Sequence, residues 1–263
     1  MTIRVRSGLL APENEAESGG SGRNSDSPAG IAGLAPAFRN KTVNSQPSHR
    51  ESLTMFSLQT IFGKGDKFYG LLEASADAAR QSARALIALL KQKTPNPSLD
   101  EFRVARRREK QVMGEISAEL VNTFVTALER EDIEALSAAL YRIPKTVEKF
   151  AQRYAMFAGQ LMDVDYASRA VMLEKACEVV SEMVGQLRRG MVIETMKEMN
   201  ERMQAIEAEA DRLLLDLYHD LYTNETSATS LLLRKDLFEL LEKAIDRCRD
   251  AGNVIYSIAL KNS

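Results

Sequence analysis

Two pairs of carboxylates near the C-terminal end carry the clearest chemical possibility in this sequence. Glu207 and Asp211 stand in IEAEADRLL, and Asp246 and Asp250 stand in AIDRCRDAGNVI. An α-helix puts residues four apart on one face, one turn from each other. If the two helices pack together, the four carboxylates could converge. Such a cluster repels itself unless cations neutralise it. Oxygen-only ligand sets suit hard cations such as Mg, Ca, Mn or iron. The plainer alternative is two solvated helix faces. Position bears on the choice. In the first of these helices Met199, Met203, Ile206, Ala210, Leu213 and Leu217 form the apolar stripe. Glu207 and Asp211 lie one residue off it, in a column with Leu214 and Tyr218, which borders a core. In the last helix Leu237, Leu241, Ala244, Cys248, Ala251 and Ile255 form the stripe, and Asp246, Asp250 and Asn253 form a column beside it.

Other chemistry is poorly supplied. A di-iron carboxylate bundle needs a Glu-x-x-His step on two helices. The chain has two histidines, His49 and His219. His219, in DLYHDLY with Asp216 three residues before it, makes one imperfect step and reads as a surface or boundary residue. Cys177 and Cys248 sit inside apolar helical patterns. They make neither a zinc spacing nor a disulfide framework, and a reducing compartment is the natural reading. There is no Walker loop, no G-x-S-x-G and no H-E-x-x-H. Nothing supplies a nucleophile with a paired base, so no catalysis and no small-molecule substrate are expected. The basic run RVARRREK, Arg103 to Lys110, is a solvated helix surface or a docking patch for an acidic partner or an anionic membrane face. The methionines, dense in GMVIETMKEMNERM, read as adaptable core or a partner-binding groove.

The elements that must position these groups are helices. The chain has 263 residues, 44% hydrophobic and 27% charged, with a formal net charge of −2. Near-neutrality gives no nucleic-acid footprint. No apolar run approaches the roughly 18 residues of a membrane span, so the sequence reads as soluble. Residues 1–54 hold four of the seven prolines and text such as ESGGSGRNSDSPAG. Such text cannot offset its ordering entropy by burial and is expected to be a disordered tail. Met55 is then a plausible natural start, with the helical domain over 55–263. Helical periodicity is expected over 68–93, from Ser98 (an N-cap, with Glu101 completing a capping box) to about 128, and over 133–157. It is expected again over 166–187, 191–222 and 231–260. Pro144 should kink its helix or remove a hydrogen bond. Short connections imply an up-and-down, all-α bundle. EREDIEALSAALYRIPKTVEKF can be set against LLRKDLFELLEKAIDRCRDAGNVI so that Asp132 meets Asp236 and Leu136 meets Leu240. That makes two pseudo-repeated three-helix units in one elongated bundle.

Three stretches, MFSLQTIFGKGDKFYGLLEASADAA, AEADRLLLDLY and LFELLEKAIDRCRDAGNVI, together resemble the PhoU-like family. More narrowly, they resemble its phosphate-transport-regulator branch, the accessory proteins of Pit-type inorganic phosphate transporters. The resemblance covers Met55 to about Asn262. It implies two three-helix repeats with multinuclear iron or zinc clusters, held by an E-x-x-x-D motif and an acidic-basic-x-x-acidic motif. Glu207 to Asp211 matches the first and Asp246 to Asp250 the second, both in the second repeat. The first repeat departs from the pattern, with Lys110 to Gly114 and Tyr141 to Lys145 at those places and Glu109 and Glu115 just outside the register. At most one metal site is therefore expected, with Glu207, Asp211, Asp246 and Asp250 as ligands and Asn253 hydrogen-bonding beside them. The implied role is regulation of phosphate transport, by a cytoplasmic protein that docks on a membrane transporter and could form a homo-oligomer. The alternative is a metal-free helical scaffold that binds a protein partner.

Overall fold

The computed structural model describes residues 51–263 apart from residue 226, with side chains from residue 66 onward. Residues 1–50 of the expected tail lie outside the described residues. Six helices follow: α1 (Glu51–Gln92), α2 (Asp100–Asn122), α3 (Arg130–Leu161), α4 (Ala167–Arg189), α5 (Ile193–Asn224) and α6 (Ala228–Lys261). Among the described residues no strand occurs, and no helix is long and apolar enough to cross a membrane.

Each helix forms because its apolar residues recur at three- and four-residue steps and find a partner face. On α1 the buried row is Phe68, Leu72, Ala76, Ala79, Ala83, Leu86 and Leu90. Its many alanines let another backbone approach closely, and α1 packs against α2, α3 and α4. The helix ends before Pro95 and Pro97, since the residue before a proline is pushed out of the α region.

Both ends of α2 differ from the sequence expectation. The capping box at Ser98 does not form, because α2 starts two residues later, after Leu99. The Ser98 hydroxyl instead accepts from the Asp100 amide at 3.2 Å, a local turn that competes with helix. At its other end α2 stops at Asn122 and does not reach Leu128. The guanidinium of Arg130 donates to the carbonyls of Leu120 and Thr123, and so satisfies groups that continued helix would have used. Pro144 lies inside α3 without ending it, and the non-helical backbone comes later, at Phe157.

The pattern of touching helices carries the repeat. Within one unit α1, α2 and α3 touch one another, and within the other so do α4, α5 and α6. The units meet through α1 on α4 and α3 on α6. Exchanging α1, α2, α3 for α4, α5, α6 maps every contacting pair onto another or onto itself. Ion pairs fix the direction of α3 on α6. Asp132, early in α3, pairs with Lys261, late in α6, at 2.7 Å. Arg153, late in α3, pairs with Asp236, early in α6. The two helices are therefore antiparallel, and the residues aligned by the repeat, Asp132 and Asp236, hold opposite ends of the seam. Phe150 and Tyr154 of α3, Tyr166 before α4 and Phe238 of α6 form one aromatic cluster across it, with Tyr166 and Phe238 centroids 4.5 Å apart.

Candidate functional site

The carboxylate-rich face lies where α5 meets α6. Met203 and Ala210 of α5 are buried, so the residues beside them are drawn to the edge of the α5–α6 contact. Glu207 is among these, its side chain 19% exposed. Asp211, one turn on, is exposed. Across from them α6 buries Ala244, Cys248, Ala251 and Ile255, the stripe read from sequence. Asp246 and Asp250 stand half-buried beside it, while Asn253 is exposed.

Arg249 sits among these acids. Its guanidinium pairs with Glu207 across the helix interface, with Asp246 at 3.0 Å and with Asp250 at 3.3 Å. Arg247 takes the other Asp250 oxygen at 2.8 Å. Partial burial works against the charge on Arg249, but Asp246, Asp250 and Glu207 outweigh it and hold the guanidinium more firmly protonated than usual. The structure adds a residue that the motif reading passed over, Glu242. Burial first, then Asp246 and Asp211, push its carboxyl up to about 7. It could have been found, because Glu242, Asp246 and Asp250 continue one four-residue column along α6.

A resident multinuclear cluster needs carboxylates aimed at shared points with no competing cation among them. Here a guanidinium lies among three of the acids, and Asp211 is exposed to solvent. Among the described residues no group of three or more His, Cys, Asp or Glu side chains is placed to hold a metal ion. As arranged, the residues do not fit an iron or zinc cluster.

The first repeat carries a different contact near the aligned segments, with Arg106 one turn before Lys110 and Glu148 three residues after Lys145. Arg106 of α2 donates to Glu148 of α3 at 3.1 Å and to the Tyr141 hydroxyl at 2.8 Å, and lies 4.4 Å above the Tyr141 ring. Glu109, in the same basic run, points inward and accepts from Ser75 of α1 at 2.5 Å. Arg107, Arg108 and Lys110 are exposed and make no ion pair among the described residues. Beside the acidic face, between α3, α5 and α6, runs a groove of about 600 Å³ lined by Lys149, Arg153, Glu242, Lys243, Asp246 and Arg247. Cys177 and Cys248 are buried against each other as thiols, their sulfurs 3.6 Å apart. His219 is exposed.

Comparisons with known proteins agree with this architecture. The chain is 22% identical over 206 residues to a protein of Rhizobium meliloti named "Putative pit accessory protein", covering 77% of this chain and 96% of that one. It is 24% identical over 148 residues to the UPF0111 protein YkaA of Bacillus subtilis, covering 55% and 70%. Two crystal structures from Shewanella oneidensis share its fold. One is of a "PhoU-like protein" and the other of a "putative PhoU-like phosphate regulatory protein". Both superpose with a TM-score of 0.64 over 74% of this chain and 99% of theirs, at 15% and 16% identity. No family model matches the chain. The fold is PhoU-like, and the resemblance read from the sequence stands.

Proposed function

We propose that this chain regulates inorganic phosphate transport as an accessory protein, without catalysis of its own, by docking on the cytoplasmic face of a membrane transporter. One observation carries the proposal. The similarity to the Rhizobium meliloti protein named "Putative pit accessory protein" covers 206 residues and spans 96% of that protein. A resident metal cluster is no part of this proposal, because the residues as arranged do not fit one. The docking surface is assigned to α2. Arg107, Arg108 and Lys110 present cations to the outside, while Arg106 and Glu109 of the same run are spent on internal partners. Exposed, unpaired cations on a rigid helix suit an acidic cytoplasmic loop or anionic headgroups, through steering that salt screens.

Co-purification tests this. A Pit-type transporter co-expressed with the full chain should capture it at low salt and release it as salt rises. Arg107→Glu/Arg108→Glu/Lys110→Glu should abolish capture without changing helix content. Capture unaffected by the triple reversal would move the contact elsewhere on the surface. No capture of the wild-type chain would sink the docking reading.

A second reading, a scaffold for another protein partner, has its own observation. Val121 and Phe124, in and after the last turn of α2, are 84% and 99% exposed. Large apolar side chains that far out of the core suit a protein contact.

A further inference from the structure

We infer that Arg249 is the built-in cation of the acidic face on α5 and α6, so that this chain closes its second repeat with a guanidinium where a carboxylate cluster would otherwise require a metal ion. The inference is independent of docking and concerns what holds the repeat together.

The geometry is specific. A single guanidinium reaches carboxylates on two helices, Glu207 of α5 and both Asp246 and Asp250 of α6. A planar fork with several donors suits this better than a point charge does. The acids are half-buried, so their mutual repulsion is less screened than on an open surface. Without a cation among them, the two helices would be pushed apart at this height. Arg247 pairs only with the other oxygen of Asp250 and, among the described residues, with no acid of α5.

The first repeat makes the same choice by another route. There the arginine comes from the middle helix of the unit. Arg106 of α2 bridges to Tyr141 and Glu148 of α3. Tyr141 opens the segment Tyr141 to Lys145 that stands where the first repeat's acidic motif would be. Each unit thus has an arginine bridge between its second and third helices, Arg106 supplied by α2 and Arg249 by α6.

The test uses the full chain, purified without a chelator or a histidine tag, and reads metal content and thermal midpoint together. The wild-type chain should carry no stoichiometric metal, and its midpoint should not move with EDTA. Arg249→Ala should lower the midpoint by roughly 5 °C. Added Mn²⁺ should then restore much of the loss, because the acids exposed by the truncation become an oxygen site open to a hard cation. Arg249→Lys should keep most of the stability, with no response to Mn²⁺. If Arg249→Ala does not fold, Arg249→Met/Glu207→Gln/Asp250→Asn decides, since removing the acids along with the cation should restore folding. Failure of that variant to fold would show that charge is not what Arg249 supplies, and would overturn the inference. So would an Arg249→Ala chain with an unchanged midpoint, or one that Mn²⁺ does not stabilise. Stoichiometric metal in the wild type, lost in Asp246→Asn/Asp250→Asn, would overturn it most directly.

Discussion

Glu109 is fully buried on α2, with one oxygen held by Ser75 and the other without a partner among the described residues. Burial pushes its carboxyl above the usual range, against the opposing pull of Ser75, Arg106 and Arg108. The folded chain therefore holds this proton more tightly than the unfolded chain, whose glutamate releases it near about pH 4.3. The stability it contributes is complete below that pH and is lost as pH rises through the folded value. Glu109→Gln should remove that loss. In urea unfolding at a series of pH values, the variant should gain on the wild type as pH rises from about 4 to neutrality. Parallel profiles would contradict the assignment. Tyr166 poses a related case, since it is 1% exposed and its hydroxyl has no partner among the described residues. Tyr166→Phe should raise stability by about 1 kcal/mol, because it removes a buried, unsatisfied group. A loss of that size would mean the hydroxyl is bonded in solution. At this scale the sequence was partly legible. Spacing put Glu207, Asp246 and Asp250 beside the core correctly. It could not show Arg249 among them, because an arginine between two acids on one helix reads as an ordinary surface residue until a second helix supplies Glu207.

Among the elements, helix positions were readable because apolar residues on every helix repeat with the helical period. The stripe Leu237 to Ile255 on α6 is buried throughout, and so is the row Phe68, Leu72, Ala76, Ala79, Ala83, Leu86 and Leu90 on α1. Boundaries were less so. The end of α2 depends on Arg130 reaching back over the turn to the carbonyls of Leu120 and Thr123, a tertiary choice with no local signature. The end of α4 was legible, since Gly190 has a φ of 111° and its amide returns to the Gln186 carbonyl. A side chain is strained in that conformation. Gly190→Ala should therefore cost about 1 kcal/mol in denaturant unfolding, although nothing lies within 4 Å of the added carbon. A neutral result would mean that the turn between α4 and α5 relaxes freely.

The described residues form two three-helix units joined along α1 with α4 and along α3 with α6. Phe238, 5% exposed, packs on Tyr166 across that joint, next to Phe150 and Tyr154. Phe238→Ala should cost about 3–5 kcal/mol, and the two units should still unfold together if the aromatic cluster is part of one core. Two separated transitions would show instead that the units are independently stable. The pseudo-repeat was legible at this scale because Asp132 and Asp236 align without a gap, and the structure sets them at opposite ends of the antiparallel seam. The proposed regulatory role draws its support from the similarity to the Rhizobium meliloti protein, which spans 96% of that protein. Its most direct test is the uptake of radiolabelled phosphate in cells deleted for this chain and complemented with it. The account predicts that deletion changes the rate of phosphate uptake and that the wild-type chain restores it. Arg107→Glu/Arg108→Glu/Lys110→Glu should be expressed at the same level and fail to restore it. Uptake that does not change on deletion would contradict a role in phosphate transport.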